Sequence, residues 1–378
     1  MKIAIDLTQY HQNYKGGVSR YCEGITQELT ELTNVVILVQ KNNLNEISKK
    51  FPNHYKIIAE NFKMLKITNF MLKILYRLNL YYMALLVING IRYKSFIREC
   101  KKMQVDLIYT PTTFINFYIR KIPTVVSLHD CQECTFPKNF SNSNLIYRRK
   151  YRLFTLRFAK RIQTSSEFIK NEILKYHTNK IDAEKIFVVN EGVDCLIFKH
   201  IEYKNIETCR IFYPASFLPH KNHNFLLGLD KNDLLPYKVT FVFTGGSNPN
   251  RLAFEKAWEK TRIPGEFLGE LSDHELLKQY IESKIVVVTS KYESSSLPLI
   301  EARSIGRHAL ASDIPPHKEM SDCLEINLYK EENLPEFVKI LRLLISSKPI
   351  REKNIEYWTW NCVAQRFLAE FQKLIASH

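Results

Sequence analysis

The stretch Val286-Val-Val-Thr-Ser290, followed by Lys291-Tyr-Glu293-Ser294-Ser295-Ser296-Leu297-Pro298-Leu299-Ile300-Glu301, decides how this chain is read. An apolar, β-branched run of this length reads as a strand buried on both faces. It leads into a loop of small residues, and Pro298 suits the first turn of a new helix, since its missing N–H is not needed there. Free backbone N–H groups and the positive end of the helix dipole make such a junction an anion site, suited to a diphosphate. Glu301, three residues further on, and Glu293, at the strand exit, bring two carboxylates that accept hydrogen bonds from vicinal sugar hydroxyls. An ordinary strand–loop–helix whose acidic residues steady a helix start fits the same spacing.

Working outward, short apolar runs alternate with helical patterns. Lys2–Leu7, Asn34–Gln40, Leu107–Tyr109, Thr124–Leu128, Arg161–Thr164 and Ile186–Val189 read as strands, with a helix from Ser19 to about Leu32. After a polar stretch from Lys199 to Glu207 the rhythm restarts with Arg210–Tyr213, Lys238–Thr244, Gly265–Leu268 and Lys284–Thr289. This βαβ alternation predicts α/β architecture: two doubly wound parallel sheets in series, facing a cleft, with ligands at the carboxyl ends of the strands. The expected division is a first domain over residues 1–198 and a second over 199–357. A final amphipathic helix over about 358–378, with Thr359 as its N-cap, is expected to pack back on the first domain.

At 378 residues the chain exceeds one typical core, and its 45% hydrophobic, 25% charged composition is globular. The net charge of +15 is unevenly placed. Residues 1–200 hold 31 Lys and Arg against 16 Asp and Glu, whereas residues 201–378 hold 23 of each. The first half therefore faces something anionic. From Asn61 to Arg98 there are seven cations and no carboxylate, and the longest uncharged run, Leu78–Ile91, has 14 residues. That is short of the roughly 20 needed to span a bilayer. With Tyr81 and Tyr82, the segment 61–98 suits an anionic membrane surface, or else one or two core helices with solvated lysines. No nucleic-acid motif accompanies the charge. The eight cysteines form no regular framework, and the lone Cys131-Gln-Glu-Cys134 reads as reduced thiols in a loop rather than a redox or zinc motif. With no secretory signal before Met1-Lys-Ile-Ala-Ile-Asp6, a reducing cytoplasm is expected, peripheral on the inner membrane face.

Glu293 and Glu301 resemble the E-x7-E signature of the GT-B glycosyltransferases of family 4, written roughly E-G-F-G-L-P-x-x-E. Five further stretches match in the family's order: Lys15-Gly16-Gly17-Val18-Ser19-Arg20-Tyr21, Ser127-Leu128-His129-Asp130, Thr164-Ser165-Ser166-Glu167-Phe168, Asn190-Glu191-Gly192-Val193-Asp194, and Tyr213 to His223. The resemblance covers almost the whole chain. It implies a GT-B fold and retaining hexosyl transfer from a nucleotide diphosphate sugar, GDP-mannose favoured, to a saccharide acceptor. The acceptor implied is lipid-pyrophosphate-linked, as in O-antigen or other lipopolysaccharide biosynthesis. Lys221 would pair with the diphosphate, Glu301 with the ribose and Glu293 with the donor sugar. His129, with Asp130 beside it, would lie on the reacting face. Gly16 and Gly17 would allow close approach of phosphate or acceptor. Ser294, Ser295, Ser296 and Leu297 would form the donor loop, and Gly269 and Leu271 would help enclose the base.

Two departures stand out. Ser216 occupies the place of an arginine that usually lies five residues before the lysine; Arg251, Arg303 and Arg307 are candidates to replace it. Ser294-Ser295-Ser296 replaces Gly-Phe-Gly, whose freedom Cβ atoms would restrict. No Asp-x-Asp motif is present, so no metal and no cofactor is expected. The alternatives are a GT-B sugar-nucleotide 2-epimerase, a non-catalytic descendant, and a basic membrane- or nucleic-acid-binding protein.

Overall fold

The computed structural model describes residues 1–10, 16–54, 56–60, 86–87, 90–91, 93–178, 180–194, 209–348 and 355–377. Most of the 61–98 stretch therefore lies outside the described residues, as do Lys15 and Cys195. Its far end is described: Tyr93 and Phe96 are buried, and with Phe117 they form an aromatic cluster at centroid distances of 5.0–6.4 Å. Among the described residues no helix is long and apolar enough to cross a membrane.

The chain forms two compact units, Met1–Gly192 with Trp360–His378, and Val193–Thr359. In the first, the described strands are β1 Lys2–Asp6, β2 Asn34–Gln40, β3 Lys56–Glu60, β4 Leu107–Thr110, β5 Thr124–Ser127, β6 Arg161–Thr164 and β7 Ile186–Val188, in sheet order β3-β2-β1-β4-β5-β6-β7. In the second they are β8 Arg210–Pro214, β9 Thr240–Thr244, β10 Gly265–Phe267, β11 Ile285–Val288, β12 His308–Ser312 and β13 Asn327–Tyr329, in order β10-β9-β8-β11-β12-β13. Every described pairing is parallel. Both sheets are thus doubly wound, as the alternation of patterns predicts. The order reverses between β1 and β4 in one sheet and between β8 and β11 in the other, and helices returning on both faces leave a crevice at each such point. Sequence reading did not name β3, β12 or β13. His308-Ala-Leu-Ala-Ser312 lacks β-branched residues, and Asn327–Tyr329 is too short to show periodicity.

The first core gathers Ile3, Ile5, Ile25, Leu29 and Ile37 beneath the helix Gly17–Leu32. The last helix, Trp360–Ala376, buries Trp360, Val363, Ala364, Phe367, Phe371 and Leu374, a period of 3.6 that turns one stripe onto this core. Phe367 and Phe371 lie 5.3 and 5.4 Å from the Tyr109 ring. The expected helix start at Trp358 is corrected. Trp358 closes a 3₁₀ turn, Ile355–Trp358, and packs in a core cluster of the second unit with Val193 and Phe212. The Thr359 hydroxyl donates to Glu356 O at 2.8 Å, which orients it toward the preceding turn.

Trp360 fits because Gly24 and Gly192 lack side chains: a Cβ at either would stand 2.2 or 2.6 Å from its indole. Gly24→Val is accordingly expected to cost about 1–3 kcal/mol by overpacking against a rigid ring. Gly17→Ala, facing open space, should stay within about 0.5 kcal/mol of the parent. Thermal unfolding of the two variants checks the contrast.

Candidate functional site

In the second unit, Lys221 and Glu293 leave from either side of the sheet's reversal, Lys221 after β8 and Glu293 after β11. Lys221 ends a 3₁₀ turn begun by Pro219, and Asn222 follows in the left-handed region at φ 56°. Buried Tyr213 anchors this turn. Its hydroxyl donates to the Lys221 carbonyl and accepts from Thr289 N–H at 3.2 Å. The Thr289 hydroxyl lies 3.0 Å from Asn222 O, and Lys291 N–H donates to His220 O at 2.8 Å. His223 is stacked between Tyr213 and Phe217, with centroids 4.3 and 4.2 Å away, and burial pushes its imidazole down to about 3. Two loops are thereby tied at fixed spacing, and the Lys221 side chain projects from a rigid base.

Its ammonium is held by both oxygens of Glu293, at 2.7 and 2.8 Å. Ser290 Oγ donates to the same carboxylate at 2.5 Å. Glu293 is 8% exposed. Burial alone would raise its pKa, but Lys221, then His317 and the hydrogen bonds outweigh this and hold it below the usual glutamate value. His317 is buried, with Nδ1 at 2.8 Å from Ser312 O, while Ser312 Oγ donates to Ser290 O at 2.5 Å.

The helix is Leu297–Ser304, with Pro298 in its first turn as expected, as its second residue, and Glu301 its fifth. Glu301 is 1% exposed and accepts the Tyr280 hydroxyl at 2.5 Å. Ser294 and Ser295 are half-buried; Leu297 is buried; Ser296, at φ −135°, precedes the helix with its Oγ buried and without a hydrogen-bond partner among the described residues. None of the three serines has a positive φ. The loop as these serines build it uses no left-handed residue, in keeping with the range their Cβ atoms allow.

Ser216 is exposed after β8. Gly245 (φ +130°) packs over it, where a Cβ would lie 3.0 Å from Ser216 Cα, and donates its N–H to Gly269 O at 2.8 Å. Gly269 itself takes φ +77°, and half-buried Leu271 follows it. Sequence reading passed over Gly245-Gly246, although a glycine pair at a strand exit (Phe243-Thr-Gly-Gly-Ser247) is a signal of close approach. The three candidate arginines hold backbone instead of standing at Ser216's place. Arg251 donates to Gly245 O at 2.8 Å and Phe267 O at 3.3 Å, Arg303 to Arg307 O at 2.9 Å, and Arg307 to Ile281 O at 2.6 Å.

In the first unit, Gly16 is the N-cap and Gly17 the first residue of the helix after β1, two residues ahead of the expected Ser19 start. His129 follows β5, buried, with Nε2 at 2.8 Å from Pro111 O. A carbonyl only accepts, so Nε2 carries the proton, and Nδ1 faces Glu191 at 3.8 Å. Tyr21 meets the imidazole edge-on at 4.7 Å and bonds through its hydroxyl to Tyr109 and Ser127. Asp130 pairs with Arg148 and accepts Gln132 N–H at 3.1 Å; despite burial, Arg148 and then Arg152 keep its carboxyl below the usual range. Neither Cys131 nor Cys134 is in a disulfide; Cys134 lies on a helical turn, Gln132–Thr135, rather than in a loop, and Cys131 is the residue that precedes it. A further polar group at the end of β1 was not foreseen: Asp6 accepts Thr8 N–H at 3.0 Å and Asn116 Nδ2 at 3.3 Å. Burial raises its pKa against those bonds.

Two doubly wound units, one with a lysine–glutamate pair beside a helix start, define a GT-B glycosyltransferase architecture. The family described as Glycosyltransferase Family 4 matches residues 15–195, and Glycosyl transferases group 1 matches 199–359. The chain belongs to the family 4 glycosyltransferases of GT-B fold. It is 25% identical over 224 residues to the O-antigen chain mannosyltransferase RfbU of Salmonella typhimurium, an alignment covering 58% of this chain and 61% of that protein. The chain thus spans about three fifths of that relative's length. Sucrose-phosphate synthase from Thermosynechococcus elongatus shares the fold at TM-score 0.73 and 16% identity, covering all of both chains. Anabaena HepE in complex with UDP and glucose does so at TM-score 0.63 and 16% identity, over 100% of this chain and 98% of that one.

Glu293 yields a test of the ion pair. Because its folded-state pKa is depressed, its contribution is complete above the ordinary value of 4.5 and is lost as pH falls through the folded-state value. Lys221→Ala should cost about 1–3 kcal/mol near neutrality by leaving the carboxylate short of its cation. It should also weaken the acid dependence between the ordinary and folded-state values, as should Glu293→Gln. Denaturant unfolding across the acid range measures both effects.

Proposed function

We propose that this chain is a retaining hexosyltransferase that moves a sugar from a nucleotide diphosphate donor to a saccharide acceptor in surface polysaccharide synthesis. The observation that carries the reading is the bidentate Lys221–Glu293 pair at the reversal point of the second sheet. A diphosphate competes for the ammonium, which then stabilises the charge that develops on the leaving group. Glu293, relieved of the lysine, can accept hydroxyls of the transferred sugar. In this reading Glu301 accepts ribose hydroxyls while sharing its carboxylate with Tyr280. By resemblance, His129 contacts the transferred sugar on the reacting face, and Gly16 and Gly17 allow close approach of phosphate or acceptor. The acceptor hydroxyl attacks on the leaving-group face and its proton passes to the diphosphate oxygen, so that no enzymic nucleophile is required. Lys221, rather than a metal ion, is the leaving-group cation in this reading.

Mannose is favoured because relatives carry the names O-antigen chain mannosyltransferase RfbU and O-antigen chain mannosyltransferase B. GDP-mannose is accordingly the first donor to test. The charge of the first 200 residues supports a lipid-pyrophosphate-linked acceptor and peripheral attachment to the inner face of the cytoplasmic membrane.

Thermal stabilisation by a panel of GDP-, UDP- and dTDP-sugars, followed by radiolabelled transfer, tests the donor and the reaction. Lys221→Ala is expected to lower kcat/KM by about 10²–10³-fold, and Glu301→Ala to raise the donor KM. Donor consumed without any acceptor would point to epimerisation instead. Neutralising Lys63, Lys66, Lys73 and Arg77 should release the protein from anionic vesicles in a sedimentation assay; unchanged binding would refute the membrane assignment.

A further inference from the structure

His317 has no place in the reaction described above, yet it is fully buried and linked to the donor-side carboxylate through Ser312, which bonds to Ser290, the hydroxyl donor to Glu293. It belongs to the short helix that follows β12, Pro315–Ser321. Its Nδ1 stands 2.8 Å from Ser312 O, and a carbonyl only accepts, so Nδ1 carries the proton of the neutral ring. The Ser312 hydroxyl does not compete for that role, because it is directed to Ser290 O at 2.5 Å. Nε2 is left as a buried lone pair without a hydrogen-bond partner among the described residues. A buried nitrogen in that condition is a vacant proton site.

The charges acting on it are Glu293 from the loop after β11, Lys221 from the loop after β8, and Asp313 at the end of its own strand. Lys318, on its own helix, is engaged with Asp313 at 3.2 Å. Burial and Lys221 oppose protonation, whereas Glu293, the Ser312 carbonyl and Asp313 favour it. Burial dominates, and the ring is neutral while Lys221 and Glu293 cancel one another.

We infer that binding of a nucleotide diphosphate sugar drives a proton onto His317 Nε2, making the imidazolium the second cation of the donor site. The inference rests on the donor-site reading given above. A diphosphate diester brings two negative charges and draws the Lys221 ammonium toward them, since charge-assisted bonds to phosphate compete well with those to carboxylate. Glu293, 8% exposed, then keeps the Ser290 hydroxyl among its described partners, and its charge acts on the imidazole uncancelled. Both changes act on His317 in the same direction, toward the charged form. One N–H bond forms at Nε2 with a proton from solvent, and it breaks when the leaving nucleotide departs and Lys221 returns to Glu293. The imidazolium acts through Glu293 and the local field, and so compensates charge without touching the donor. It also accounts for Ser216, where the resemblance leads one to expect an arginine: the missing positive charge is taken from water when the donor arrives.

Isothermal titration calorimetry of the full chain with GDP-mannose, or with UDP-glucose if that is the sugar nucleotide that binds, tests this in phosphate and in Tris near neutral pH. The diester phosphates do not titrate there, so any buffer-dependent heat reports protons taken up by the protein. The expected result is uptake of up to one proton per donor, with affinity weakening by up to roughly tenfold per pH unit as pH rises. His317→Asn keeps an amide donor for Ser312 O but cannot accept a proton. It should bind the donor with buffer-independent heat and a flat pH profile. His317→Gln serves if the asparagine variant does not fold, and the parent protein's buffer dependence stands as a test without either. Buffer-independent heat in the parent would overturn the inference, as would undiminished uptake in the variants, which would place the proton on Glu293. Failure of every sugar nucleotide to bind would instead overturn the donor-site reading, and this inference with it.

Discussion

Parallel pairing is the constraint from which the rest of this molecule follows. A parallel strand must be reached by a crossover, and such connections leave both faces of a sheet buried. Val35 to Val39 are all buried, as are Ile285 to Val288. The candidate site residues of the second unit are instead collected at the carboxyl ends of its strands. There the loops after β8, β9, β10, β11 and β12 bring Lys221, Gly245, Gly269, Glu293 and His317 into one unit's edge. The corresponding edge of the first unit carries Asp6, Gly16 and His129.

Charge at the second edge is arranged economically. Glu293 is nearly as buried as a core residue, and a carboxylate there is tolerated only because a cation and hydroxyl donors satisfy it. Lys221 is part-exposed, so the pair has a buried partner and a movable one. The buried member is fixed by Ser290 and the loop geometry; the movable one ends a stem whose base is tied to Tyr213 and Thr289. Such an asymmetric pair can change partners without disturbing the sheet. A symmetric, fully buried pair could not, because each half would be left uncompensated.

The strands with continuous apolar or β-branched runs were legible from the sequence, and so was the series of two parallel sheets. Register and edge strands were not. Asn327–Tyr329 pairs with Leu310–Ser312 through backbone bonds that no side-chain pattern announces. The acidic pair was visible from spacing, but its electrostatic state was not. Sequence spacing cannot show that Glu293 is clasped by a lysine 72 positions earlier, or that Glu301 turns toward Tyr280. His317 gave no signal either, being one histidine after two prolines. The last helix was legible as an amphipathic stripe, yet the boundary fell two residues late. Trp358 and Trp360 are both apolar aromatics, and which core each one enters is decided by the glycines that make room for Trp360.

The serine triplet shows how a departure from a family pattern should be weighed. Glycine in such a loop matters when the backbone needs a left-handed residue or when a Cβ would collide with something. Here no serine of the three has a positive φ, and the residue preceding the helix lies at −135°, within reach of any side chain. The three serines therefore hold the loop on a negative-φ path and set what lines it. Hydroxyls that donate and accept replace bare backbone, and Ser296 Oγ is buried at the mouth of the helix, where an anion would be met by N–H groups as well.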